Sequence, residues 1–242
     1  QLDKAIETGE KALEIDPISP IIMGNLASAY GPGMGRIDKA VELYERTIEL
    51  NPNDGGAYSR YGNNISQMGE HEKAIEFVKK GLELEPNGFL INLEMAIVYN
   101  RAGQTDEAIR QFSDIIERYP GYAVPHTQLG IIYRVKEEYE TAIEYHKKAI
   151  ELDPLSASAH NSYGLTLRNS GDLEGAVEEI GRASELSPEI RLYSNNLGNV
   201  YRRTGDYDKA LETYTKVFAD DPGNANTASN IGRIYRDMRN YE

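Results

Sequence analysis

An alanine recurs at a nearly constant interval along this chain, and a proline follows each of these alanines by 12 residues. The interval is 34 residues, except for the first, which is 35. The alanines are Ala5, Ala40, Ala74, Ala108, Ala142, Ala176 and Ala210, and the prolines are Pro17, Pro52, Pro86, Pro120, Pro154, Pro188 and Pro222. A fixed period of this length is typical of a solenoid of stacked repeats. Because solenoids act through their long surfaces, the period predicts a binding groove and not a buried catalytic centre.

One repeat, residues 191–222, indicates what each unit folds into. We number the positions within a repeat so that the alanine is position 20 and the proline is position 32. Gly198 and Tyr201, at positions 8 and 11, lie at the spacing of one helical face. Gly205 interrupts the chain before a second helical pattern, and Pro222 prevents that helix from continuing. The repeat therefore predicts a hairpin of two helices, which we call A and B.

This pattern resembles the tetratricopeptide repeat (TPR) family, whose 34-residue motif has Leu-Gly at positions 7 and 8, Tyr at 11, Ala at 20 and Pro at 32. The resemblance implies an all-α fold, a right-handed superhelical α-solenoid of helix–turn–helix hairpins, formed by a single array over residues 1–242. Residues 1–17 resemble helix B of a partial repeat, 20–222 resemble six full repeats, and 225–242 resemble helix A of a further partial repeat. Because both ends fall inside a repeat, we expect the chain to be a fragment of a longer protein.

Position 15 joins helix A to helix B, and glycine occupies it in most repeats. Glu137 and Arg239 replace this glycine in two repeats. One extra residue falls within residues 31–35, and we expect it to end helix A of that repeat early. Short turns are expected at the glycines of position 15, which are Gly69, Gly103, Gly171 and Gly205.

The charge balance limits which partners the chain can bind. Lys and Arg number 26 against 39 Asp and Glu, so the net charge is −13. This excess of acid argues against nucleic-acid binding and against docking on an anionic membrane. The chain has no cysteine, and no apolar run approaches the roughly 18 residues of a membrane span. We therefore expect no nucleic-acid partner and no membrane insertion; the compartment stays open, with the cytoplasm as our default.

The sequence contains none of the common catalytic or phosphate-binding motifs. We expect no enzyme activity, no catalytic residue, no cofactor and no metal site. His126, His146 and His160 could lie near one another between two hairpins. A metal would need three or four such ligands with a supporting second shell, so we interpret the three histidines as packing residues.

Glutamate recurs at positions 22 and 29 of helix B. The TPR resemblance places this side of helix B on the outer, convex wall, so we expect these carboxylates to be exposed to solvent. They are Glu7, Glu42, Glu76, Glu144, Glu178 and Glu212 at position 22, and Glu14, Glu49, Glu83, Glu117, Glu151 and Glu185 at position 29.

The resemblance also implies that positions 2, 5, 9, 12 and 13 of helix A face a concave groove that contacts a peptide. Arginine recurs at position 12, and arginine binds carboxylate or phosphate in bidentate fashion. The alternative is that these arginines pair with Asp or Glu of the next repeat. The predicted polar peptide-binding residues are Asn63, Arg101, Arg134, Asn161, Arg168, Asn195, Asn199, Arg202, Arg203, Arg233 and Arg236.

A second group of groove positions is apolar. An exposed apolar patch on a soluble protein usually marks a binding site. The alternative is that neighbouring A helices cover these side chains. The predicted apolar peptide-binding residues are Leu90, Leu93, Ile97, Val124 and Ile131, and Val135 lies beside them.

These observations predict a protein–protein interaction scaffold, with an extended peptide segment in the groove. Its apolar anchors would meet the apolar positions, and its acidic groups would meet the arginines. One alternative is a regulatory or substrate-binding TPR region of a larger enzyme, such as a protein glycosyltransferase. Another is self-association through the open terminal half-repeats.

Overall fold

The computed structural model describes residues 2–31 and 36–239, and every regular element in this part of the chain is an α-helix. The predicted all-α class is therefore confirmed. The extra residue predicted within 31–35 falls on a segment that lies outside the described residues except for Gly31. The helices are α1 (Leu2–Ile15), α2 (Pro20–Tyr30), α3 (Ile37–Leu50), α4 (Gly55–Gln67), α5 (His71–Leu84), α6 (Phe89–Arg101), α7 (Thr105–Arg118), α8 (Ala123–Val135), α9 (Tyr139–Leu152), α10 (Ala157–Ser170), α11 (Leu173–Leu186), α12 (Arg191–Thr204), α13 (Tyr207–Asp220) and α14 (Ala225–Arg239).

The repeated proline sets the end of every B helix. The B helices are the odd-numbered ones, and each ends two residues before the proline of its repeat. Proline lacks an N–H and disfavours the α conformation in the residue before it, so the helix stops at this point. None of the helices in residues 2–31 and 36–239 is both long and apolar enough to cross a bilayer.

The predicted turns at position 15 are confirmed. Gly69, Gly103, Gly171 and Gly205 all have a positive φ, between 74° and 100°. Glycine adopts this left-handed conformation without a steric penalty. Glu137 takes the same place in its repeat with φ 64°, the one non-glycine residue with a positive φ in the described part of the chain. Its side chain makes this turn more costly than its counterparts.

Two compact units divide the chain, Gln1–Arg118 and Tyr119–Glu242. The first contains α1 to α7 and the second contains α8 to α14. Within each unit, every helix packs against the next one along the chain. Within a unit, each A helix also contacts the following A helix, as α2 contacts α4 and α10 contacts α12. This packing of hairpin upon hairpin is that of an α-solenoid, and it places the A helices of a unit side by side.

Small residues let the two helices of a hairpin approach closely. A Cβ on Gly164 would lie 2.5 Å from Cγ1 of Ile180, and a Cβ on Gly198 would lie 2.8 Å from the Tyr214 ring. Position 8 of helix A therefore receives the side chain of position 24 of helix B. The alanines of position 20 are fully buried in the same contact in six repeats, at Ala40, Ala74, Ala108, Ala142, Ala176 and Ala210.

The glutamates of positions 22 and 29 are all exposed, as predicted for the outer side of helix B. Several form ion pairs within their own helix; Lys148 Nζ lies 2.7 Å from Glu151 Oε1, and Lys216 Nζ lies 2.7 Å from Glu212 Oε1. Exposed pairs of this kind contribute little to stability. The recurring glutamates therefore lie on the B helices, whereas the recurring arginines lie on the A helices.

Candidate functional site

An amide–amide hydrogen bond fixes how neighbouring A helices align in the second unit. Asn196 on α12 donates from Nδ2 to Oδ1 of Asn161 on α10, over 2.9 Å. The bond joins position 5 of one repeat to position 6 of the next. The first unit has the same alignment, since a Cβ on Gly24 would lie 3.6 Å from the Arg60 guanidinium at the equivalent positions.

Position 12 of one repeat meets position 13 of the next at the other end of the A helices. Arg202 Nη1 on α12 lies 2.8 Å from Asp237 Oδ2 on α14, and both side chains are half-buried. For Arg202 the structure thus bears out the alternative interpretation, an ion pair with an acidic residue of the following repeat. This guanidinium already has a carboxylate partner.

Arg168 also occupies position 12, but the residue it meets at position 13 of the next repeat is positively charged. Its neighbour at position 13 of the next repeat is Arg203, whose Nη1 donates to the backbone carbonyl of Arg168 over 3.5 Å. Burial lowers the pKa of Arg168, and the charges of Arg203 and Arg134 lower it further. Arginine stays protonated in proteins, so the lowered pKa reports an unfavourable setting for a positive charge.

Arg134 on α8 completes this group. Its Nε is buried and has no hydrogen-bond partner within the described residues, and burial lowers its pKa. The residue at position 13 of the next repeat is Asn169, whose Oδ1 instead accepts from Arg168 Nε and Nη2 over 3.3 and 3.2 Å. We call Arg134, Arg168 and Arg203 the arginine cluster. In residues 36–239 none of the three forms an ion pair with a carboxylate.

The other predicted arginines have different surroundings. Arg101 in the first unit donates from Nη1 to Oδ1 of Asn63. Burial lowers the pKa of Arg101, and the charge of Glu94 opposes this shift. Arg233 and Arg236 are exposed on α14 and lie outside the arginine cluster. The predicted basic stripe therefore separates into paired, exposed and clustered members.

The predicted asparagines are partly engaged with the protein itself. Asn161 is buried and accepts from Asn196. Asn195 is half-buried, and its Oδ1 accepts from Thr227 Oγ1 over 3.4 Å. Asn199 is half-buried beside them on α12. The side-chain carbonyls of Asn161 and Asn195 thus serve the packing of A helices, which leaves their amide N–H groups for other acceptors.

The apolar positions do not form one uniform exposed patch. Leu90 is 69% exposed on α6, whereas Leu93 on the same helix is only 9% exposed. Ile97 and Ile131 are half-buried, and Val124 on α8 is 46% exposed. The expectation of exposure is wrong for Leu93, because neighbouring structure covers it. Val135 is 70% exposed at the end of α8.

The three histidines are buried, as expected of packing residues. Burial, together with the charge of Arg134, lowers the pKa of His146 to about 4. His160 is held by Glu179 Oε2 at 2.7 Å from Nδ1. No group of three potential metal ligands comes together in residues 2–31 and 36–239.

The sequence interpretation overlooked a polar cluster in the first unit. Glu94 on α6 has a buried Oε2 without a hydrogen-bond partner in the described residues, and burial raises the pKa of this carboxyl. Nearby, Asn64 donates from Nδ2 to the Tyr44 hydroxyl over 3.1 Å, and this hydroxyl lies 2.8 Å from Ser28 Oγ. The available signal was a carboxylate at position 6, on the inner side of an A helix.

Comparisons with known proteins agree with the architecture. Models described as tetratricopeptide repeat match residues 22–54, 56–87, 92–122, 123–154, 147–178, 164–225 and 195–242. Small glutamine-rich tetratricopeptide repeat-containing protein 2 of Mycosarcoma maydis is 37% identical over 59 residues. That match covers 24% of this chain and 16% of the relative.

Solved structures share the fold at low identity. The APC/C hetero-tetramer Cut9-Hcn1 matches with a TM-score of 0.74 and 18% identity, over 98% of this chain and 47% of that one. Yeast Tom70 matches with a TM-score of 0.72 and 16% identity, over 99% of this chain and 59% of that one. A thermophilic TPR protein of Thermus thermophilus matches with a TM-score of 0.63 and 20% identity, over 75% of this chain and 98% of that one. The chain spans about half the length of the first two, and identities this low bear on the fold alone.

Proposed function

The chain belongs to the tetratricopeptide repeat family, whose repeats indicate a protein–protein interaction scaffold, and we propose that the A helices of its second unit bind an extended peptide with acidic groups. Binding, without catalysis, is the proposed role. The arginine cluster is the single observation that carries the proposal. Three half-buried or exposed guanidiniums lie near one another and form no ion pair with a carboxylate of residues 36–239, in a chain of net charge −13.

The charge pattern supports this assignment because the protein has many carboxylates, yet in residues 36–239 none of them forms an ion pair with the cluster. The recurring glutamates of positions 22 and 29 are on the B helices, and Asp237 on the A helix α14 pairs with Arg202. Desolvated positive charges without counterions favour a negatively charged partner. Acidic side chains of a peptide are such partners, and arginine binds them in bidentate fashion.

We propose that other groups on the A helices of the second unit supply the remaining contacts. Asn199 offers a donor and an acceptor to a peptide backbone. Ile131 and Val124 on α8 offer apolar surface for the side chains of the peptide. In the first unit, we propose that Asn63 and Arg101 provide polar contacts to a peptide. Leu90 and Ile97 of the same unit provide apolar surface.

Selection from a phage library of random short peptides tests the proposal. We expect enriched peptides to contain Asp or Glu, and their Kd, measured by calorimetry, to rise about tenfold in Arg168→Gln. Arg182→Gln is the matched control because Arg182 is exposed on the B helix α11 and pairs with Glu185 at 3.2 Å. Its Kd should change less than about twofold.

A loss of binding in B-helix variants, but not in Arg168→Gln, would contradict the proposal. If Arg168→Gln binds the selected peptides like the wild type while Arg182→Gln or Glu178→Gln does not, the ligand lies on the B helices. The enzyme-associated and self-assembly alternatives stay predictions, because no contact of the described residues favours either of them.

A further inference from the structure

We propose that the anion the arginine cluster binds most tightly is a phosphomonoester, presented as phosphoserine or phosphothreonine in the bound peptide, with a carboxylate as the weaker ligand. The inference rests on the proposed function and names the chemistry of its ligand. It follows from the number of uncompensated charges, from the way the guanidiniums are held, and from the one ion pair next to them.

The number of charges favours a dianion. One carboxylate carries a single negative charge, and within this fold the carboxylate of Asp237 is matched to one arginine, Arg202. The cluster gathers three guanidiniums, and a single carboxylate would leave two of them uncompensated. A phosphomonoester carries a charge of about −1.5 to −2 near neutral pH and has three strong acceptor oxygens. Its oxygens and charge therefore fit three arginines better than a carboxylate does.

Neutral groups hold two of the guanidiniums, those of Arg168 and Arg203, so these two need no counterion to stay in place. Asn169 Oδ1 accepts from Nε and Nη2 of Arg168, and the backbone carbonyl of Arg168 accepts from Arg203. These acceptors fix positions without cancelling charge. Such preorganised donors lose little freedom when an anion arrives.

Arg134 contributes a donor that lacks an acceptor. Its Nε is buried and makes no hydrogen bond within the described residues, although buried donors in proteins nearly always have a partner. Its charge also contributes to lowering the pKa of Arg168, so the two guanidiniums lie near each other. A phosphate oxygen that accepts from this guanidinium would compensate its charge and satisfy its donors in one contact.

The rest of the surface argues for a phosphopeptide and against a nucleic acid. A nucleic-acid backbone needs a series of cations along the strand. Here the charge is −13 overall, Arg202 is paired, and the outer faces of the B helices carry exposed glutamates. A single concentrated site suits one phosphate group.

The test measures the affinity of the whole chain for small anions at constant ionic strength. The probes are N-acetyl-O-phosphoserine amide, N-acetyl-aspartic acid amide, inorganic phosphate and a short oligothymidine. Binding is followed by the side-chain Nε–Hε resonances of the arginines. We expect the phosphoserine probe to bind at least about tenfold more tightly than the aspartic probe and to shift the Arg134 resonance.

Variants locate the site. Arg134→Gln, Arg168→Gln and Arg203→Gln should each weaken the phosphoserine probe about tenfold, and the control Arg182→Gln should leave it within about twofold. Arg168→Lys keeps the charge and loses the planar fork, and we expect a loss of about threefold or more. Thermal melts by circular dichroism establish that each variant is folded, and the wild-type resonance shifts stand whether or not a variant folds.

Three outcomes would overturn the inference. The first is equal affinity for the phosphoserine and aspartic probes. The second is phosphoserine binding that is unchanged in Arg168→Gln. The third is tighter binding of oligothymidine through the same arginines, which would make the ligand a nucleic acid. Inorganic phosphate that binds as tightly as phosphoserine assigns the site to free phosphate and contradicts the peptide source. If no small anion binds while selected acidic peptides still depend on Arg168, the phosphate inference fails and the proposed function stands.

Discussion

The imidazole of His146 occupies the space that Gly130 leaves by having no side chain. A Cβ on Gly130 would lie 2.5 Å from Cε1 of this ring, closer than any ordinary carbon–carbon contact. The histidine is fully buried, and neither ring nitrogen has a hydrogen-bond partner in the described residues. Gly130 and His146 therefore form the close contact between α8 and α9, and one side of this contact is a titratable imidazole.

Gly130→Ala should destabilise the protein by about 1–3 kcal/mol, because the added methyl group collides with the His146 ring in a packed core. Gly232→Ala is the matched control. Gly232 also occupies position 8 of an A helix, but its Cβ would meet no atom of the described residues within 4 Å. Alanine has a higher helix propensity than glycine, so the unfolding free energy of this control should rise by up to about 1 kcal/mol. Urea melts measure both, and equal effects of the two substitutions would contradict the packing role of position 8.

The stability of the protein should fall as the pH falls from about 6.5 to about 4, because of His146. Its folded-state pKa of about 4 lies below the usual 6.5, so the unfolded chain binds more protons in this window. The contribution of His146 to the free energy of unfolding is fully present above its unfolded-state pKa and is lost progressively as the pH falls below that value. Between about pH 7.5 and pH 5 we expect a loss of about 2 kcal/mol from this residue.

His146→Leu isolates that contribution. Sister repeats carry apolar residues such as Ile180 at the same position, so leucine should be accommodated. The difference in unfolding free energy between the two pH values should shrink by about 2 kcal/mol in the variant. An identical pH dependence in the wild type and in His146→Leu would show that this imidazole is not the titrating group.

Leu93 and Leu90 lie one turn apart on α6, and we expect their truncation to change stability by very different amounts. Leu93 is 9% exposed, so Leu93→Ala should lower the unfolding free energy by about 2–5 kcal/mol. Leu90 is 69% exposed, so Leu90→Ala should change it by less than about 0.5 kcal/mol. Denaturant melts provide the comparison. A small loss in Leu93→Ala would return this residue to the set of exposed groove positions.

Features that depend on local sterics could be predicted from the sequence. The repeated prolines end the B helices, the glycines such as Gly171 form the left-handed turns, and the alanines of position 20 are buried. Each of these follows from the shape of one residue and its immediate neighbours along the chain. The exposed glutamates follow from the same helical periodicity.

The state of each groove residue could not be predicted in this way, because it depends on a partner one repeat further along. Arg168 and Arg202 occupy the same repeat position and look alike in the sequence. Arg203 faces the first and Asp237 faces the second, and only the packing of neighbouring A helices reveals which position meets which. The burial of Leu93 and of the Glu94 carboxyl has the same origin, since each depends on what packs over helix A.

Removing the charge of Asp237 should strengthen the binding of acidic peptides. In the wild type, the carboxylate of Asp237 pairs with Arg202, one of the arginines that recur at position 12 of the A helices. Asp237→Asn releases this guanidinium for the ligand. The pair is half-buried, so we expect Kd to fall about threefold to tenfold, with little loss of stability.

The gain should diminish at high salt, because charges near a surface are screened over about 8–10 Å. Asp208→Asn is the matched control, since it removes the same charge from an exposed position of the B helix α13. Calorimetry with selected acidic peptides at low and high salt measures both variants. A gain in Asp208→Asn equal to that in Asp237→Asn would mean that net charge alone governs binding. An unchanged Kd in Asp237→Asn would mean that Arg202 takes no part in the peptide site, and the site would then be confined to the arginine cluster.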